Sequence, residues 1–417
     1  MANTLITSSI ILNESLLELK NNMVLGELVD KQYSGEFSGQ ALKRGQSVRV
    51  RRRVNFMATN VYGADGDMTG NVSDIVEGSA EIKLENQDSV VFEVSSQDLT
   101  LDISDFSERY IRPAMIEIAQ KCETAIAREF QKAPWLKTGG VSDFQSIASM
   151  DAILDDYGVP MMDRCCVITP VMMVQLAAIL TTVFPTEIAS RAIERALVTT
   201  LGNFPIYKFQ SAVNHTNGAF AGSLVVDGAA QEVVYSDVKD NDYLSQTFNI
   251  GGLTATTGTF NSGDTFTIVD VYQVNHRTRE ATSRLQMFTV LADITADGSG
   301  DVAALISPAI ITTGAYKTCD IVGGTVPDAA VITVTSGVAG ARSREGMAFH
   351  KQALTLATAD MEAFKGGVDN STGALDGYSM RVAMDSDVLR DKTICRLDML
   401  YGVRLLESRA VVRISEV

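Results

Sequence analysis

Residues able to do chemistry are few in this sequence and poorly spaced for it. The three histidines, His215, His276 and His350, lie far apart, and none has a His, Cys or Glu at metal-ligand spacing. His350, in AFHKQA, reads as a structural histidine with its hydrogen bonds satisfied. The five cysteines, Cys122, Cys165, Cys166, Cys319 and Cys395, are odd in number and contain no CxxC. A disulfide framework is therefore not expected, and reduced thiols in a cytoplasm are. Neither GxxxxGK[ST] nor GxGxxG occurs, so those phosphate-cradling loops are missing, and no GxSxG elbow presents a nucleophile. No serine or cysteine is marked by a base held by a third group. Asp65-Gly66-Asp67 and the run Asp297-Gly298-Ser299-Gly300-Asp301 offer oxygens to calcium, but both lack the EF-hand spacing with its closing glutamate. Turn formation is the expected role of both. The pattern implies no catalytic residue, no cofactor and no metal.

If the chain does no chemistry, its elements must serve something else. Its 417 residues are too many for one simple core and suggest two or three compact units. A hydrophobic content of 46% with 21% charged residues marks a globular chain. The formal net charge of −16 repels DNA at long range, which excludes a general nucleic-acid binder. It leaves room for a container whose wall does not grip its contents. The N-terminal stretch lacks a basic region, and Glu14 and Glu18 interrupt its apolar pattern, so no signal peptide is expected. The most apolar window, Val171 to Val183, is too short to span a bilayer. A soluble protein made and used in the cytoplasm is expected.

Along the chain, Asn13 is placed to cap an amphipathic helix of about 18 residues carrying Leu16, Leu17, Leu19, Val24, Leu25 and Leu28. Such an arm must dock, either on its own subunit or on a neighbour. A hairpin-like region follows. In SVRVRRRVNF, Val48, Val50, Val54 and Phe56 share one face with Arg52, while Arg49, Arg51 and Arg53 share the other. On the returning strand Ala80, Ile82 and Leu84 oppose Glu81, Lys83 and Glu85. Charge is segregated: Lys31 to Arg53 holds seven bases against Glu36, and Val54 to Glu108 holds twelve acids against Lys83. Arg49, Arg51, Arg52 and Arg53, with Glu77, Glu81 and Glu85, are thus candidates for pairing within the hairpin or with another copy. A solvated strand face is the plainer alternative. Because only Phe56 interleaves with the bases, a single-strand nucleic-acid platform is weakly supported. Leu16, Leu19, Val24 and Leu28 are the arm's candidates for an inter-subunit contact.

From Asp105 to Lys132, apolar residues at helical spacing predict a spine of about 40 Å at ~1.5 Å per residue, with Pro113 in or at its first turn. Residues 143–203 read as α/β. A helix over Phe144 to Tyr157 precedes a buried strand over Cys165 to Thr169. Pro170 then opens a second helix, Glu187 to Thr200 forms a third, and PIYKFQSA returns as a strand. After His215 short strands recur every 8 to 12 residues among Gly, Thr, Val and Asp, which suggests a small β-barrel or sandwich inserted into the α/β body.

This order of parts resembles the major coat proteins of tailed bacteriophages with the Hong Kong 97-type fold, in the short-tailed branch with an inserted domain. The segments that carry the likeness are DFSERYIRPAMIEIAQKCE (105–123), DTFTIVDVYQVNHRTREATSRLQMFTVLADITADGSGDVAALISPAI (264–310), MAFHKQALTLATADME (347–362) and CRLDMLYGVRLL (395–406). Together they span most of the chain, and their order is more specific than any one piece. Val403 stands after Tyr401-Gly402 where an aromatic is expected. The resemblance implies an α+β fold: an N-terminal arm (1–32), an extended loop with peripheral strands (33–102), a spine helix (103–140), an axial domain (141–216), an inserted β-barrel (217–342) and a return to the axial and peripheral domains (343–417). It also implies a structural protein, with no enzyme activity, that assembles with itself into pentamers and hexamers of an icosahedral head. Scaffolding and portal proteins, encapsidated double-stranded DNA bound without sequence preference, and a decoration protein are the implied partners, with no membrane. Assembly in the host bacterial cytoplasm follows. An encapsulin-like compartment shell shares the fold, and a hydrolase or adhesin with a β-barrel accessory domain is a further alternative.

Overall fold

A computed structural model of the chain describes residues 7–32, 47–56, 75–95, 106–183, 200–201, 204–365, 368–387 and 392–416. Its helices, in chain order, are α1 (Ser8–Asn22), α2 (Leu25–Leu28), α3 (Arg112–Phe130), α4 (Phe144–Asp156), α5 (Pro170–Val183) and α6 (Tyr235–Val238). The strands of the first half are β1 (Ser47–Arg51), β2 (Ser79–Lys83), β3 (Asn86–Ser95), β4 (Trp135–Lys137), β5 (Arg164–Ile168), β6 (Thr200–Leu201), β7 (Phe204–Lys208) and β8 (Asn214–Thr216). Next come β9 (Gly222–Val226), β10 (Gln246–Leu253), β11 (Thr259–Phe260), β12 (Thr265–Val274), β13 (Ala281–Val290), β14 (Ile294–Thr295), β15 (Val302–Ser307), β16 (Cys319–Ile321) and β17 (Ile332–Val334). The last are β18 (Arg342–His350), β19 (Leu354–Thr358), β20 (Asp369–Leu375), β21 (Tyr378–Asp387), β22 (Lys392–Leu405) and β23 (Val411–Ser415). The fold is mixed α+β. Met1–Val48, Glu81–Glu129 and Leu354–Leu405 form one compact unit; Arg49–Ala80, Phe130–Ala353 and Leu406–Val417 form a second.

In the first unit β22 is the organising strand. It pairs antiparallel with β21 along one edge, and with β3 and then β19 along the other, while β20 continues the sheet beyond β21. Gly402 of β22 is required by contact: a Cβ there would stand 2.2 Å from the Lys83 carbonyl oxygen. Asp398, fully buried, accepts from Arg381 Nε at 3.1 Å and Arg396 Nε at 2.7 Å, so its charge is matched from two sides. The arm corrects one expectation. Its helix starts at Ser8 after the extended residue Thr7, so Asn13 lies inside the helix and does not cap it. It also breaks at Met23, whose backbone is extended, before the short α2 resumes. A five-residue π-helical turn, Ser107–Ile111, opens the spine, with the Arg112 N–H bonded to the Ser107 carbonyl. Pro113 has no N–H to return to the carbonyl four residues back, and a wide turn just upstream accommodates that gap.

Two of the apolar clusters among the described residues of the second unit organise its fold. In the body, the sheet order is β4–β23–β18–β5–β7–β6, with β8 also on β18; the β4–β23 and β5–β7 pairs are parallel. All five residues of β5 are buried, so Cys165 and Cys166 are covered although they face opposite ways. Asp143 caps α4 by accepting the Ser146 N–H at 2.7 Å. Pro170 takes the first position of α5, and Thr169 Oγ1 accepts the Met172 N–H at 3.3 Å. Leu154, Cys166, Ile168, Met172, Leu176 and Phe204 fill the core between. The helix expected over Glu187 to Thr200 falls on residues outside the described ones, except for Thr200, which begins β6.

The second core lies within the β-rich segment. β9–β10–β15–β13–β12–β17 run side by side, all antiparallel. A bridge from Val331 to Val225 then joins β17 back to β9, and the Val226 N–H bonds the Ala330 carbonyl at 2.9 Å. The ring therefore closes on itself with six strands. Phe266 sits at its centre, with ring centroids of Phe288, Phe260 and Phe248 at 5.8, 6.3 and 6.4 Å. Chain entry and exit are adjacent: His215 of β8 pairs with Ser343 of β18, and the Asn217 N–H bonds the Ala341 carbonyl at 2.9 Å. Asp297 Oδ1 accepts the N–H groups of Ser299 and Asp301 at 2.8 and 2.9 Å, which makes its acidic run a turn. Among the described residues no group of three or more His, Cys, Asp or Glu side chains could hold a metal ion. No described helix is long and apolar enough to cross a membrane.

Candidate assembly surface

The charged hairpin has a rigid root. β1 pairs with β2, and just beyond this ladder both chain segments, 52–56 and 75–79, are gripped by the β-rich segment. Arg52 is half-buried. It donates to the Ser79 carbonyl at 3.3 Å and the Asn241 carbonyl at 2.9 Å. Asp240 accepts from the backbone and hydroxyl of Ser79 at 3.0 and 2.8 Å. Tyr235 and Tyr316 stack with ring centroids 3.6 Å apart, and the Tyr316 hydroxyl both donates to the Val76 carbonyl at 2.9 Å and accepts the Asn55 N–H at 3.2 Å. A Cβ on Gly78 would stand 2.5 Å from the Lys239 carbonyl oxygen, so only glycine fits beneath this clamp.

His276 completes the root. Arg409 lies 2.9 Å from its Nδ1 and can only donate, so Nδ1 accepts and the ring proton sits on Nε2. The Asn55 side-chain amide, 2.7 Å from Nε2, then turns its oxygen to that proton. The Arg409 charge, together with burial, pushes the His276 pKa down to about 3. The imidazole is held neutral.

Around this root the candidate residues take different places. Arg49 is exposed. Arg51 is also exposed, at 81% of its side chain, and pairs with Glu77 of its own chain at 3.3 Å. Arg53 donates to the Gln352 amide oxygen. Glu81 accepts from Ser47 and lies 3.4 Å from Lys83, while Glu85 is exposed beyond the end of β2. Arg52, which the sequence pattern set on the valine face, is thus a root residue bonded within its own chain.

The arm's stripe is used inside the first unit. α1 packs across β20 and β21, and Leu16 and Leu19 are buried there. Of the two docking places left open for the arm, Leu16 and Leu19 occupy the one on their own unit. Val24 and Leu28 are half-buried. Glu123 of α3 holds the break in the arm, accepting the N–H groups of Val24 and Leu25, the latter at 3.0 Å. Burial raises the Glu123 pKa against the lowering effect of those two bonds. Sequence reasoning missed Glu123; the available signal was a lone acid on the apolar face of the spine. It also missed the tyrosine stack and the His276–Arg409 pair.

A family model described as P22 coat protein, gene protein 5, matches residues 1–412. The chain belongs to this family. It is a structural major capsid protein of a bacteriophage, and it assembles with copies of itself into the shell. The P22 coat protein match supports that role over an encapsulin-like compartment shell. No curated protein matches the sequence. Among solved structures the chain is similar to one from Mycobacterium phage Che8, with 14% identity, covering 94% of this chain and 90% of that one at a TM-score of 0.46. It is also similar to the capsid of cyanophage P-SCSP1u, with 12% identity, 94% and 88% coverage and a TM-score of 0.45. The acid-stable capsid of Helicobacter pylori bacteriophage KHP30 shows 9% identity, 91% and 90% coverage and a TM-score of 0.42. Membership of the P22 coat protein family accounts for the sparse chemistry: the three histidines are all held in structural contacts, His215 against buried Asp264 at 2.9 Å and His350 against the Gln352 N–H at 3.2 Å.

Proposed function

We propose that this coat protein forms the pentamers and hexamers of an icosahedral head, built in the host bacterial cytoplasm with a scaffolding protein around a portal. The head encloses double-stranded DNA without reading its sequence, a decoration protein is a further partner, and no catalytic step is involved. The family match along residues 1–412 carries this reading. A net charge of −16 supports it, because a wall that repels phosphate lets the packed genome slide.

Within that role the charged hairpin is assigned to contacts between subunits. Arg49 and Arg51 point their charges to solvent from a strand whose root is fixed, and Glu77 and Glu85 are exposed acids that a neighbour can offer in return. Each exposed pair contributes only about 0–1 kcal/mol, but repetition at every interface makes the sum decisive. Arg52 and Arg53 belong to the root and support the strand. Reversing Arg49 and Arg51 to Glu tests the assignment. The subunit's circular dichroism and melting should be unchanged, while electron microscopy shows few or aberrant shells. Normal shells from the double variant would remove the hairpin from the contact.

A further inference from the structure

The two limbs that run on from the β1–β2 ladder are held by the β-rich segment. The last rung of the ladder is the Arg52 N–H on the Gly78 carbonyl at 2.8 Å. In antiparallel register the next rung joins Val54 to Val76. The Val76 carbonyl instead accepts from the Tyr316 hydroxyl at 2.9 Å, and the same hydroxyl accepts the Asn55 N–H at 3.2 Å. A side chain of the β-rich segment thus stands between the limbs where the ladder would continue. The grip extends along both limbs. The Phe56 carbonyl accepts from Arg279 at 3.1 Å, the Glu77 carbonyl from Lys239 at 3.4 Å, and the Ser79 N–H donates to Asp240 at 3.0 Å. Val76 also packs on an apolar cluster of Tyr235, Val238, Leu244, Ala309 and Ile311.

These bonds go to the main chain of the limbs, so what they fix is the path of the backbone. A two-stranded hairpin is marginally stable by itself in water, and β1 and β2 have only five residues each. The β-rich segment supplies the order that so short a ladder lacks. Arg49 and Arg51, the exposed bases, lie within three residues of the gripped Arg52. We propose that Tyr316 and Asp240 are positioning residues for shell closure, fixing the direction of the charged hairpin in the subunit before it meets another copy. This rests on the assignment of the hairpin to contacts between subunits. A head-to-tail contact closes only if it repeats one rotation, and other rotations give open helical assemblies. Bases on a root free to swing offer a different rotation to each neighbour; bases on a fixed root offer one. A fixed root also removes an ordering cost that each contact otherwise bears.

Tyr316→Phe removes the bridging hydroxyl and keeps the ring stacked on Tyr235, while Asp240→Ala removes the hold on Ser79. The full chain carrying both is read twice. In the unassembled subunit, hydrogen exchange over 52–56 and 75–79 should be at least tenfold faster than in wild type, with the melting temperature unchanged. Unchanged exchange overturns the proposal, since the limbs are then held without these two residues. In assembly, electron microscopy should show open tubes or shells of mixed diameter at a total yield close to that of wild type. Uniform shells of wild-type diameter, formed in spite of faster exchange, overturn the link to closure. Aberrant assembly with a lowered melting temperature assigns the two residues to stability and overturns it too. Asp240→Ala alone, at a side chain 57% exposed, repeats both readings where folding is not in question. Normal shells after reversal of Arg49 and Arg51 would remove the hairpin from the contact, whereas exchange of the limbs reports on their fixation alone, so the two failures are told apart.

Discussion

At the scale of single residues, buried charges are the points at which this fold is most easily broken. The Arg413 side chain, 1% exposed, bonds Glu345 at 3.2 Å and the carbonyls of Ala133 at 3.0 Å and Gly263 at 2.8 Å. It thereby joins β23, β18, the segment before β4 and the loop that leads into β12. Arg413→Met should destabilise the second unit by about 3–5 kcal/mol, because Glu345 is left buried without a partner, whereas adding Glu345→Leu should recover part of the loss. Urea unfolding of the single and double variants checks both statements. His276 gives a pH dependence with a defined sign. Its folded pKa, about 3, lies below the ordinary value of 6.5, so the unfolded chain binds the proton first. The stability it contributes is complete above pH ~6.5 and falls as pH drops from there towards about 3, by at most ~1.4 kcal/mol per pH unit. Denaturation midpoints of wild type and His276→Gln should diverge in slope below pH 6.5 and run parallel above it.

At the scale of elements, the arm and the hairpin use opposite logic. α1 covers the sheet of its own unit, burying Ile11, Leu12, Leu16 and Leu19. Fully burying a leucine or isoleucine is worth roughly 1.5–3 kcal/mol. Removing residues 1–28 should therefore strip several kcal/mol from the first unit and expose β20 and β21. Hydrogen exchange of the truncated chain should show lost protection across those two strands and little change in the six-stranded ring. Equal protection in both would mean that the arm contributes nothing to its unit. The hairpin instead buries its root and leaves its charges out, so substitution there should change assembly before it changes stability. The alternation of bases and valines was enough to place β1, but Arg52 shares its face with Val50 and was drawn into the root by the Ser79 carbonyl and by that of Asn241, 189 residues away in the chain.

At the scale of the whole molecule, the ring formed by β9, β10, β15, β13, β12 and β17 has its own core and adjacent chain ends. Residues 217–342 should fold alone, since about 126 residues suffice for an independent core. A dispersed proton–nitrogen NMR spectrum of that fragment is the expected result; a collapsed one would show that the ring depends on the body. Asp264 is the residue to watch in such a fragment. It is fully buried and bonds His215, which the fragment lacks, as well as the N–H groups of Gly218 at 2.9 Å and Asn261 at 2.8 Å.

The sequence by itself determined which faces are buried and where elements start. Pro170 opening α5, Asp143 before α4, the buried strand from Cys165 and the 8 to 12-residue strand spacing of the β-rich segment were all legible, because periodicity and capping act over a few residues. It also determined the family, through the order of these parts. Only the tertiary structure decided which partner each face meets. Glu123 catching the broken arm, Val331 closing the ring against Val225, and Arg409 holding His276 neutral join residues roughly 100 or more positions apart. Local patterning reports that a side chain is to be buried and is silent about what buries it. The identity of the partner is set by packing among distant segments, where one hydrogen bond or one closed strand pair separates alternatives that look alike along the chain.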